Sequence, residues 1–83
     1  MKLNVKALAI AAGLLWGAVV LLVAVCNMLW PPYGGSFLSL VASIYPGYQP
    51  AAEVGSVVTG TLYGLVDGFI GGAVFAWLYN RFV

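Results

Sequence analysis

The chain has 83 residues, 64% hydrophobic and 6% charged, whereas a soluble domain keeps about 25% charged residues to face water, so a water-soluble globule is excluded. Three basic residues (Lys2, Lys6, Arg81) and two acidic ones (Glu53, Asp67) give a net charge of +1 with no histidine, and no basic cluster exists to hold nucleic-acid phosphates. One cysteine, Cys26, excludes an internal disulfide, and no Cys/His grouping offers a metal set, so neither metal nor cofactor is expected.

Ala7 to Leu29, ALAIAAGLLWGAVVLLVAVCNML, carries no charge. At about 1.5 Å per residue it exceeds the roughly 30 Å of a hydrocarbon core, which predicts a spanning helix. Lys2 and Lys6 ahead of the run also suit a signal peptide, but the apolar region of a signal peptide is only about 7–15 residues long. A retained span is expected.

Trp30-Pro31-Pro32 should stop that helix, because proline lacks an amide hydrogen and restricts its predecessor. Ser36 to Tyr45 then sets Phe37, Leu38, Leu40, Val41, Ile44 and Tyr45 against Ser36, Ser39 and Ser43. That pattern predicts a short amphipathic helix over 36–45, too short to span and suited to the membrane interface, ended by Pro46-Gly47. Trp30, Tyr33, Tyr45 and Tyr48, with Trp77 near the far end of the second span, read as headgroup-level anchors.

The second span is expected over 55–79, interrupted by Asp67. An aspartate at the centre of an inserting helix costs about 2.5–3.5 kcal/mol, and each Leu, Ile, Phe or Val returns about 0.3–0.6. Ten such residues, from Val57 to Leu78, offset it. The predicted fold is therefore all-α: a hairpin of two transmembrane helices forming one unit over 1–83, with a short interfacial helix in the connection. All three basic residues flank the spans on the terminal side. This places both termini in the cytoplasm, with the loop 30–54 outside.

Gly60, Gly64, Gly68 and Gly72 recur every fourth residue, Gly71 lies beside them, and the first span answers with Ala9, Gly13 and Gly17. Glycine is a poor helix former, so such a run calls for a packing reason. Close backbone contact is a main source of helix association in lipid. The ridges are expected to pack within one hairpin, between subunits as a glycine zipper, or both.

On a helical wheel Asp67 falls among Gly60, Gly64 and Gly71, so the acid is expected to face the packed side, with Val58, Leu62, Leu65, Phe69 and Ala73 opposite, facing lipid. Asn27 is about 12 Å away in depth if both spans are straight, which is too far for a hydrogen bond. Tyr63, one turn before the acid, is the candidate donor. Three states are open to Asp67: a neutral carboxyl, a bond across subunits, or a partner supplied by another membrane protein. As a neutral group it would act as glue fixing helix register; intramembrane acids are otherwise read as functional.

The opening MKLNVKALA, the central SIYPGY, and VDGFIGG followed by FAWLYNRF resemble, over nearly the whole chain, a family of small two-span prokaryotic membrane proteins labelled holin-like or bacteriophage holin. The resemblance implies a homo-oligomeric pore or permeabilising assembly in which Asp67 lines or seals the interior. It brings no catalytic residues. Little polar surface beyond Asp67, Asn27 and some Ser/Thr is available to wet a lumen. The alternative is a non-catalytic accessory or scaffold subunit, self-assembled or packed against a larger membrane complex. No nucleophile and base, phosphate loop or metal set supports an enzyme.

Overall fold

The computed structural model of the chain describes residues 1–31, 33–49 and 53–83. It is all-helical, with α1 over Val5–Leu29, α2 over Gly35–Ala42 and α3 over Val54–Phe82. α1 and α3 are both long and apolar enough to cross a membrane. They form the two-transmembrane hairpin expected, about 44 Å long and 19 × 18 Å across, with α2 in the connection. Pro32, part of the expected stop, lies outside the described residues.

Both spans run slightly past their expected limits. Asn4 caps α1 by accepting a hydrogen bond from the Ala7 amide (3.0 Å), which starts the helix two residues earlier than the apolar run. α3 continues to Phe82, and Arg81 lies in its last turn, where a cation complements the helix dipole. α2 is shorter than expected. Its last turn closes on the Ser43 amide, and Gly47 at φ 80° lets the chain reverse after Pro46.

The two ends of the hairpin are fastened by asparagines. Near the termini Asn80 makes a two-way clamp, accepting from the Leu3 amide (2.7 Å) and donating to the Leu3 carbonyl (2.8 Å). At the other end Asn27 donates to the Tyr33 carbonyl (2.8 Å) and holds the turn after α1. Each bond contributes about 0.5–1.5 kcal/mol, so Asn80→Ala should weaken terminal docking by about 1–3 kcal/mol. Hydrogen exchange of the Leu3 amide should rise by about tenfold or more, while the middle of α1 is unchanged.

α1 and α3 meet along the glycines. A methyl group at Gly68 would lie 2.6 Å from the Ala12 carbonyl oxygen and 2.9 Å from Gly13 Cα; one at Gly72 would lie 2.6 Å from Ala12 Cβ. At Gly64 it would lie 3.1 Å from Val20 and 3.3 Å from Gly17 Cα. Ala9, Gly13, Gly17, Val20 and Ala24 are the buried residues of α1. The ridge therefore joins the two spans of one chain, backbone against backbone.

Two expected placements differ. Leu65 is half-buried rather than facing lipid, because its side chain occupies the hollow over Gly17, and Ala73 is half-buried as well. On α2, Leu38 and Val41 point inward, whereas Leu40, and Ile44 beyond the end of the helix, are exposed and do not share their face. Leu38 packs with Ala24 and Val57, so α2 lies against the hairpin.

Candidate functional site

Asp67 stands close to the middle of α3, on the flank of the glycine ridge. Among the described residues its donor is Tyr45, whose hydroxyl gives a 2.9 Å hydrogen bond to Asp67 Oδ2 and accepts another from Trp16 Nε1 (2.9 Å). Three elements thus meet at one phenol: the middle of α1, the connecting segment, and the middle of α3. An indole N–H and a carboxyl, both awkward in hydrocarbon, are satisfied by one group that can donate and accept.

Tyr45, just beyond the end of α2, packs with Val41 and Tyr48 against Trp16 and Tyr63. Its ring stacks on Tyr63, with centroids 5.1 Å apart and planes 12° from parallel, while Phe37 meets Trp16 edge-on at 5.8 Å. Tyr48 lies beside Tyr45 and covers Gly60, where a methyl group would be 2.9 Å from its ring. Ser56 donates to the Gln49 carbonyl (2.8 Å), tying the end of this segment to the first turn of α3.

These contacts revise the aromatic assignments. Tyr45 and Tyr48, expected as headgroup-level anchors, are each 4% exposed and belong to the interior of the fold. Trp30, Tyr33 and Trp77 are exposed near the ends of the spans. Tyr63, expected to donate to Asp67, donates instead to the Pro46 carbonyl, because the reversed chain brings that carbonyl to it while Tyr45 takes the acid. The long-range role of Tyr45 was hidden by its place in an aromatic cluster. A tryptophan at the centre of a span, away from the interfacial belt and needing an acceptor, was the available signal.

Of the expected ridge, Gly13, Gly17, Gly64, Gly68 and Gly72 face the opposite span and Gly60 faces Tyr48. Gly71 does not join them: a methyl group there would meet nothing within 4 Å. Asp67, expected on the packed side, is instead exposed on the side of the hairpin despite its bond to Tyr45, because α1 packs over Gly64, Gly68 and Gly72 and leaves the side of Asp67 and Gly71 open. Beside it opens a groove of about 360 Å³ between Ala12 and Trp16 of α1 and Asp67, Gly68, Gly71 and Gly72 of α3. The connecting segment covers Trp16 and Asp67 from the loop side; the groove continues along the spans towards the termini. Among the described residues no three metal-ligating side chains come together.

Fold and site define a small helical-hairpin membrane protein with one acid at mid-span. Comparison with protein-family models, curated proteins and solved structures finds no match to the chain.

Proposed function

We propose that this chain is a small, non-catalytic integral membrane protein that works by lateral association in the bilayer, with the face carrying Asp67 as its contact surface. One observation carries the reading: Asp67 is exposed on the side of the hairpin at mid-span, above an open groove. Tyr45 satisfies one oxygen of this carboxyl, but its open side faces hydrocarbon, where an aspartate costs about 2.5–3.5 kcal/mol on the insertion scale, so protein cover is favoured. Because the glycine ridge joins the two spans of one chain, association uses its flank rather than the ridge. Lys2, Lys6 and Arg81, all beside the terminal ends of the spans, support cytoplasmic termini and an external loop 30–54, and the family resemblance supports a prokaryotic membrane.

The reading is tested by extracting the protein from producing membranes into polymer-bounded bilayer discs and measuring particle composition. Particles holding more than one hairpin, or a hairpin with another membrane protein, are expected. Asp67→Leu should shift them to single hairpins. Single hairpins from the parent chain would end the proposal.

The holin-like reading is the second, favoured by the VDGFIGG and FAWLYNRF resemblance. In it the associated hairpins turn Asp67 inward around a permeable axis. It predicts release of a small dye from vesicles, lost with Asp67→Asn while assembly persists. A scaffold predicts no release from either form.

A further inference from the structure

We infer that the groove beside Asp67 is the seat of a second copy of this chain, whose α3 crosses at Gly71 and sets its own Asp67 against the first. The inference rests on the lateral-association reading and names the partner.

Gly71 is the first ground. A glycine inside a helix costs about 1 kcal/mol relative to alanine. The other glycines in the middle of α3 are accounted for by α1 or by Tyr48, whereas the space over Gly71 is open. The hairpin alone gives no reason for a missing side chain there; a backbone arriving from outside does.

The second ground is the surface around it. Asp67, Gly71, Val74 and Leu78 follow at i, i+4, i+7 and i+11, the spacing of one helical stripe, and all four are exposed. The stripe borders the groove, whose floor includes Gly68 and Gly72.

The third is complementarity at fixed depth. Identical chains insert the same way, so a two-fold axis along the membrane normal brings each residue on the contact face to its own counterpart. Asp67 then meets Asp67. The basic residues of the chain, Lys2, Lys6 and Arg81, flank the terminal ends of the spans and cannot reach this depth. Two carboxyls need no cation: one that keeps its proton donates to the other, while each Oδ2 stays with its own Tyr45. The pair satisfies in two copies what one copy leaves facing hydrocarbon.

The test is oxidative crosslinking in native membranes of Val74→Cys in a Cys26→Ser background, with Leu62→Cys, on the opposite side of α3, as control. Val74→Cys should give a disulfide-linked homodimer and Leu62→Cys should not. Adding Gly71→Leu should lower the dimer by about tenfold or more while the hairpin holds, since the first carbon of the added side chain meets nothing of its own chain within 4 Å. Asp67→Asn, which still donates and accepts, should keep the dimer, and Asp67→Leu should lose it. If Val74→Cys is joined to a different polypeptide, the second copy is excluded while lateral association stands. If it joins nothing and reacts freely with a lipid-soluble maleimide, both fall.

Discussion

Gly68→Leu should open the hairpin. At this position a first side-chain carbon would already lie 2.6 Å from the Ala12 carbonyl oxygen, 2.8 Å from Trp16 Cβ and 2.9 Å from Gly13 Cα. Two of these three atoms are backbone, so no rotamer change makes room and α1 must move as a body. Overpacking by small groups costs about 1–3 kcal/mol where neighbours can adjust. Here the cost should be at or above the top of that range, enough to separate the spans along the ridge. SDS titration of the reconstituted protein, followed by Trp16 emission in a Trp30→Phe, Trp77→Phe background, should show the transition lost or moved to much lower detergent. Gly71→Leu, three residues on, should leave the transition in place, because the space over it is empty within the chain. The contrast separates packing inside the hairpin from a general objection to large residues in α3.

Tyr45→Phe should release the connecting segment while leaving both spans helical. The ring can still stack on Tyr63, but Trp16 Nε1 loses its acceptor and Asp67 loses its donor. Each orphaned group costs about 1–3 kcal/mol in a protein interior, although membrane hydrogen bonds measured pairwise average only about 0.6. A net loss of about 1–3 kcal/mol is the expected outcome, read as faster hydrogen exchange over residues 43–49 with α1 and α3 still protected. Trp16 emission should shift to the blue as its hydrogen bond is lost. Unchanged exchange in the connecting segment would mean that stacking and the Tyr48–Gly60 contact hold it without the phenol.

The spans were legible because charge-free length and the four-residue glycine period are local properties of the chain. Gly13, Gly17, Gly64, Gly68 and Gly72 could be placed on one ridge from spacing alone, though spacing left open whether that ridge met the same chain or another. Tyr45 was not legible for the opposite reason. Its bond to Asp67 joins residues 22 apart, and that to Trp16 residues 29 apart, through a reversal at Pro46-Gly47 that no hydrophobic period encodes. The same limit misplaced Leu65: the wheel puts it away from Asp67, but α1 sets Gly13 against the backbone of Leu65 and Phe69 and Gly17 under the Leu65 side chain, so the contact face takes in Leu65 as well as the glycines.

The same packing leaves the acid exposed. Towards the loop the flank of α3 is covered by Tyr45 and Tyr48, towards the termini it is left open by α1, and Asp67 sits where one arrangement gives way to the other. A carboxyl in this position is anchored by its own chain on one side and free to meet a neighbour on the other. The proposed lateral association depends on that geometry.

The central claim is that the chain carries its own phenol down to the mid-span acid. It is tested by solid-state NMR in bilayers, with Tyr45 Cζ and Asp67 Cγ labelled and the protein diluted in an excess of unlabelled chain. A through-space cross-peak between the two carbons that survives dilution, matching the 2.9 Å oxygen separation, is predicted. A cross-peak that disappears on dilution, or a Tyr45 ring in contact with water and headgroups instead, would contradict it.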